Sequence, residues 1–380
     1  MVADAQEGSE QVTLSLAKLE DTLKHIGQPQ RRLAELRRVE AMVRENMINL
    51  QFPVTVLSAK VEHAITELPF KEKPLSEKQQ QEWIQFLRDD RCASKIMQIR
   101  EECVSDARIG HEVMVKQTYC PGSTQSPLFG PIFGIRATDF LADLGSNVAW
   151  VLYWAASHGV TQGVAYEPSP LTFEVCSANA SRINAHFNSQ FQVVREAIDA
   201  TGGRMELAEM SYSRHGSSRS CAVHLVPYAH NDYIKVNVRK VALSEVLAAH
   251  PISWLKMDIE GADLACLAHE HNWQKVRVFC VEMSTVRLRR KHNFNRAGLT
   301  EFAGILKRLY NAGFCFMKSS EQVLDSNYWT NPKHPRAGYD ANLWFYNPDN
   351  DERANINLTE EMIAKFHIPL ADFLVEQKLL

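Results

Sequence analysis

No stretch of the chain approaches the roughly 18 uninterrupted apolar residues that a membrane-spanning helix requires. The opening segment, MVADAQEGSEQ, is polar and acidic and lacks the apolar core of a secretory leader. Charge of one sign is also scarce, because 42 basic against 45 acidic residues leave a formal net charge of −3. Nothing therefore draws the whole molecule to nucleic acid or to an anionic membrane, and a polyanionic partner would need a local basic patch. Eight cysteines, at positions 92, 103, 120, 176, 221, 266, 280 and 315, form no C-x-x-C pair, and several sit in apolar runs such as Val278-Phe279-Cys280-Val281. They are read as reduced core thiols of a cytoplasmic protein. What remains is an ordinary globular composition, 45% hydrophobic and 23% charged over 380 residues, enough for one large domain and a substantial extension.

A further absence bears on the most informative stretch, Phe140 to Pro170. It reads as a strand, a tight glycine turn, a helix and a second strand closed by Glu167-Pro168. Phe140, Leu141 and Ala142 feed Asp143, the turn Asp143-Leu144-Gly145-Ser146-Asn147 lets backbone approach a ligand, and Val148 to His158 has helical spacing stopped by Gly159. Glu167 follows Asp143 by 24 residues, close to the roughly 20 at which a carboxylate meets a ribose diol in a doubly wound sheet. The three glycines that seat a pyrophosphate are missing, however, since the turn runs Gly145-x-Asn147-x-Ala149. Asp143 would repel a phosphate but suits the ammonium and sulfonium of a methionine moiety, so S-adenosylmethionine fits better than a dinucleotide.

Along the rest of the chain, Leu14 to Ile26 and Arg31 to Phe52 show helical spacing, and Ser76 to Val104 carries Trp83, Phe86, Leu87, Ile96, Met97 and Ile99 at spacings that predict one or two further helices. Residues 1–105 are thus expected to form an N-terminal helical domain, read first as structural packing, with a lid, a homo-oligomer seam or a partner dock as alternatives. Residues 106–137 form a linker and lead-in, rich in Pro and Gly from Tyr119 to Gly134. After Glu167 the pattern predicts a helix from Leu171 to Phe187, a strand near Phe191 to Val194, and a hairpin turn at Ala200-Thr201-Gly202-Gly203 into Arg204 to Ala208. It continues with a strand and short helix over Val236 to Val246, a strand in Ser253 to Ile259, and a helix from Ala262 to about Asn272. The strand Val276 to Glu282, the helix Ala297 to Ala312, and strands at Phe314 to Lys318 and Ala341 to Tyr346 complete the pattern. Residues 349–380 are a C-terminal helical tail. Alternating strands and helices predict an α/β fold with a mostly parallel sheet and ligands at its carboxyl edge.

Three stretches, DLGSNVAW (143–150), YEPSP (166–170) with Asn179 and Asn184 trailing it, and LKMDIEGADLACL (255–267), together resemble the FkbM-type family of S-adenosylmethionine-dependent methyltransferases. The third is the most family-specific, being close to the pattern L-K-x-D-x-E-G-x-E. The resemblance spans roughly Thr138 to Tyr346, within a domain expected at residues 138–348. It implies the class I, Rossmann-like, doubly wound sheet and S-adenosylmethionine as cofactor. Two residues depart from the family pattern: Ala149 replaces the second turn glycine, and Asp263 replaces a glutamate.

The resemblance implies that Asp143, Gly145 and Asn147 line the methionine end, that Glu167 holds the ribose hydroxyls, and that Ala197 and Ile198 pass near the adenine. It also implies O-methylation of a hydroxyl on a sugar or other small molecule. Glu260 or Asp258 is the expected base or acceptor-orienting group, with His292 a further candidate base. Helix capping is the competing role for the strand-end acids. A divalent metal held by Asp258 and Glu282 is left open. The segment Thr285 to Arg296, TVRLRRKHNFNR, is expected to be a solvated basic loop, with the grip on an acidic acceptor as the alternative. Two other functions stay open: a protein-directed methyltransferase docked through the N-terminal helices, and a catalytically silent scaffold suggested by Ala149.

Overall fold

In the computed structural model the described residues are 77–90, 92–99, 104–115, 132–210, 220–222, 233–259, 261–269, 272–273, 275–319, 326–334, 341–351 and 368–378. The predicted helices at Leu14 to Ile26 and Arg31 to Phe52 lie outside them, as does Glu260. The described chain opens with α1 (Glu77–Asp89), α2 (Ala93–Ile96) and α3 (Val104–Gly110), the last running into one π-helical turn at His111–Val115. A βαβαβ unit follows: β1 (Phe140–Leu144), α4 (Trp150–Ser157), β2 (Gln162–Tyr166), α5 (Pro170–Phe187) and β3 (Gln190–Val194). Next come β4 (Ala197–Asp199), β5 (Gly203–Met210), β6 (Ser220–Ala222), β7 (Tyr233–Ala242), α6 (Leu243–Ala249), β8 (Trp254–Met257), α7 (Asp263–Ala268) and β9 (Val278–Met283). The remaining elements are α8 (Thr285–Lys291), α9 (Arg296–Asn311), β10 (Phe316–Ser319), α10 (Ser326–Thr330), β11 (Ala341–Tyr346), β12 (Ile368–Pro369) and α11 (Leu370–Glu376).

Eight strands form the main sheet in the order β12-β10-β11-β9-β8-β1-β2-β3. The five strands from β9 to β3 run parallel, whereas β11 is antiparallel to both β9 and β10. This is the doubly wound, mostly parallel sheet expected of a Rossmann-like methyltransferase. The central strands are buried on both faces, which explains why they read as nearly continuous apolar runs. Leu141, Ala165, Trp254, Val278 and Cys280 point into one cluster with α4 and α5. Ala142, Leu144, Val164, Leu255, Met257, Phe279 and Val281 point into the other, with α7, α9 and α11. Local signals set the helix ends: Ser169 caps α5 by accepting from the Thr172 N–H at 3.4 Å, Pro170 occupies its first turn, and Asn188 stops it in the left-handed region at φ +53°.

Four sequence expectations are revised. The Ala200–Gly203 turn does not make a hairpin, because β7 lies between β4 and β5 in a second sheet ordered β4-β7-β5-β6. Helix α7 ends at Ala268 rather than near Asn272. Thr285 to Lys291 is helix, not loop. Cys92 is exposed, although Cys176, Cys266 and Cys280 are buried as expected.

The described N-terminal helices pack directly on the sheet layer. Trp83, Ala93, Ile96, Met97 and Val113 share one buried cluster with Trp150, Tyr153 and Ile183. Trp83 meets Trp150 edge-on at 5.2 Å, the Tyr153 hydroxyl donates to Asp90 at 2.8 Å, and Trp150 Nε1 donates to the Asp106 carbonyl at 3.1 Å. The core is therefore continuous across the boundary expected at residue 105. No helix among the described residues is long and apolar enough to cross a membrane.

Candidate active site

The strand order reverses beside β1: the chain leaves β1 for β2 and β3 on one side and returns on the other at β8. In open α/β sheets the crevice at such a switch point, beyond the carboxyl ends of the strands, is where ligands bind. Asp143 and the turn after it stand on the β1 side, and Asp258 stands on the β8 side.

The turn is built from three left-handed residues at alternate positions, Gly145 at φ +79°, Asn147 at φ +52° and Ala149 at φ +73°. These are the positions of the Gly145-x-Asn147-x-Ala149 pattern, so the spacing reflects a backbone requirement that glycine, asparagine and here alanine all meet. Only glycine fits at 145 on steric grounds too, because a Cβ there would collide with the Asp258 carbonyl oxygen. The Asp258 N–H donates to the Leu144 carbonyl at 2.9 Å, which seats the end of β8 against the start of the turn.

Glu167, at the end of β2, is buried. Its Oε2 accepts the Asn147 N–H at 3.0 Å and its Oε1 accepts the Ser169 N–H at 3.0 Å. The carboxylate thus ties the turn after β1 to the end of β2, reinforced by the Gly145 and Ser146 N–H groups, which donate to the Tyr166 carbonyl. Asn179 and Asn184 hold backbone around this unit. Asn179 Nδ2 donates to the Val148 and Gln98 carbonyls, and Asn184 Oδ1 accepts the Phe191 N–H.

Asp143 is fully buried, and its Oδ1 lies 3.1 Å from Lys256 Nζ, which also donates to the Gly145 carbonyl at 2.7 Å and lies 3.9 Å from Asp258 Oδ2. The Asp143 charge is thus already compensated from within the sheet. Lys256 stood in the recognised motif without a role, since a lysine inside an apolar strand gives no sequence signal of what it faces. Asp258 keeps 23% of its side chain exposed at the crevice. Ala197 and Ile198 are buried in β4, in the same apolar cluster as Tyr166 and Val238.

Three further residues of the motifs and of the basic segment have identified partners. Asp263 is buried and accepts both the N–H and the hydroxyl of Ser284 at 2.7 Å, locking α7 to the end of β9. His292 follows α8 with its Nε2 2.6 Å from Glu301 Oε2 on α9. Burial alone would raise the Glu301 carboxyl, but hydrogen bonds from Lys291 and His292 outweigh it and hold the group below its ordinary value. His292 is therefore a pairing partner of α9. Arg289 is buried, stacks over the Tyr328 ring at 4.1 Å and donates to the Asn331 carbonyl at 2.8 Å. Arg290 and Lys291 are the exposed cations of α8. Among the described residues, no group of three or more His, Cys, Asp or Glu side chains could hold a metal ion.

Comparison with known proteins places this crevice within a described family. Residues 142–316 match the model of the methyltransferase FkbM domain. Among solved structures, the chain is similar to a methyltransferase FkbM from Methylobacillus flagellatus KT at 12% identity and a TM-score of 0.34, covering 69% of this chain and 59% of that one. It is also similar to the MccD protein at 11% identity and a TM-score of 0.26, covering 58% of this chain and 95% of that one. The chain thus spans 59% of the length of the first of these structures. No curated protein matches it in sequence. Residues 142–316, which carry both the turn after β1 and Asp258 at the end of β8, are thus similar to a methyltransferase FkbM domain.

Proposed function

We propose that the protein is a methyltransferase that uses S-adenosylmethionine to methylate a hydroxyl group of a sugar or other small molecule. The observation that carries this reading is Glu167. A buried carboxylate fixed by two backbone N–H groups, at the end of the strand next to a left-handed turn, is preorganised to accept hydrogen bonds from a ribose diol. A carboxylate oxygen can accept more than one hydrogen bond, so the two backbone contacts are compatible with that role. The FkbM domain match supports the same cofactor.

The residues present suit that molecule. Asp143 Oδ2 is buried without a hydrogen-bond partner, which favours a ligand donor such as an ammonium group, and the two acids at 143 and 258 outnumber the one cation between them, Lys256, which disfavours a dinucleotide's pyrophosphate. Asp143, Gly145 and Asn147 would hold the methionine end, Glu167 the ribose, and the apolar Ala197 and Ile198 would border the adenine. When bound, S-adenosylmethionine supplies an electrophilic methyl group. The chain's own contribution is to position the acceptor hydroxyl and take its proton. Asp258 is suited to that role, as a partly exposed carboxylate on the β8 side of the crevice. Glu260, two residues on, is the second candidate and lies outside the described residues. Native mass spectrometry of the full chain tests the reading: a one-to-one complex with S-adenosylmethionine supports it, and the free chain alone at saturating cofactor contradicts it.

A further inference from the structure

One cation is buried in the sheet itself. Lys256 sits in β8 at only 3% exposure, and its register partner on β1 is Asp143. The two side chains lie on the same face, since Trp254 and Leu141, two positions before each, share one cluster. Nζ reaches Asp143 at 3.1 Å, the Gly145 carbonyl at 2.7 Å and Asp258 at 3.9 Å. Burial by itself would lower the lysine's affinity for its proton, but Asp143 and Asp258 more than offset it, and the ammonium is held more firmly than usual. Stability does not explain such a group, because a buried ion pair is often matched or bettered by apolar residues of the same volume. Its electrostatic effect is another matter. A fixed positive charge beneath the turn opposes two carboxylates that would otherwise act together on any ligand above them.

We propose that Lys256 sets how strongly the crevice discriminates a cationic ligand from a neutral one, and hence the sulfonium methyl donor from the thioether left after transfer. The inference rests on the cofactor reading given under Proposed function. Methyl transfer moves the positive charge off the cofactor sulfur, so donor and by-product differ in charge by one unit and in size by one methyl. With Lys256 in place, Asp143 is compensated and the site's pull on the sulfonium is moderated. This keeps the two ligands closer in affinity than an unpaired Asp143 would.

Calorimetric titration of the full chain with S-adenosylmethionine and with S-adenosylhomocysteine tests this through the ratio of the two affinities. Structural damage weakens both ligands and leaves the ratio in place. Lys256→Gln keeps a donor for the Gly145 carbonyl but removes the charge, and is expected to raise the preference for the donor by about 3- to 10-fold. Asp143→Asn leaves the lysine uncompensated and is expected to lower the preference by a similar factor. Shifts in the same direction, or no shift in either variant, overturn the proposal. If only one variant folds, an unmoved ratio in that variant overturns it. If neither folds, the double variant D143N/K256Q is read instead. It leaves the net charge of the cluster unchanged, so the wild-type ratio is expected within about twofold, and a larger shift overturns the proposal. A wild-type chain that binds neither ligand refutes the cofactor reading itself, a result distinct from all of these.

Discussion

Ala149 shows how far a departure from a family pattern can be judged by magnitude. Its φ of +73° places an alanine where glycine is usual, a strain of about 1–2 kcal/mol. Replacing it by glycine would relieve that strain but would forfeit a fully buried methyl, about 0.8 kcal/mol, and would add about 0.4–1 kcal/mol of unfolded-state entropy. The terms nearly cancel. Ala149→Gly is therefore expected to change unfolding free energy by less than about 1 kcal/mol in denaturant titration, whereas a shift beyond about 2 kcal/mol either way would mean that the turn is not in this conformation. The alanine is a substitution that the turn's backbone accommodates. At this scale the sequence was readable where backbone demands leave a pattern: Gly145, Asn147 and Ala149 recur at alternate positions because each takes a positive φ. It was unreadable where a side chain's role depends on a neighbour 113 residues away, as for Lys256 facing Asp143.

Among the elements, α8 was the hardest to read. TVRLRRKHNFNR is dense in positive charge and short, so its local signals favour a solvated loop, yet Thr285 and Arg289 are buried against α10. The Thr285 and Tyr328 hydroxyls lie 2.6 Å apart, and Arg289 stacks on the same ring. Tyr328→Phe keeps the ring under Arg289 but deletes the hydrogen bond, and a loss of about 1–2 kcal/mol is expected by chemical denaturation. An unchanged midpoint would show that this contact does not hold α8. The misread hairpin has a different cause. Ala200-Thr201-Gly202-Gly203 is a real local turn signal, but β4 pairs in parallel with β7, whose Lys240 is the partner of Ala197, and no local window contains that pairing. Strands β1, β2, β8 and β9 were legible because two-sided burial makes each an apolar run. The acids at their ends were legible because they interrupt those runs.

At the level of the whole molecule, the described N-terminal helices belong to the core that carries the site. A chain beginning at Ser105 would lose Trp83, Ala93, Ile96 and Met97 from the cluster around α4 and would remove Asp90 from the Tyr153 hydroxyl and Gln98 from Asn179. Each large buried side chain is worth about 1.5–3 kcal/mol, so the sum rivals the roughly 5–15 kcal/mol that stabilises a whole domain. Such a chain is expected to show no cooperative thermal transition by circular dichroism, and a transition at the full-length midpoint would restore the separable domain that sequence spacing suggested. Helical spacing could reveal that these segments are helices but not which surface they cover. The central claim concerns the crevice those helices help to support. It is tested most directly by calorimetric titration of S-adenosylmethionine into the full chain and into Glu167→Gln, with the folded fraction of each checked by circular dichroism. Saturable one-to-one binding by the wild type, weakened in the folded variant by about 1–3 kcal/mol, is the predicted result, because the ribose hydroxyls would lose a charged acceptor. Equal affinity in the two proteins, or no binding by the wild type, would contradict the account.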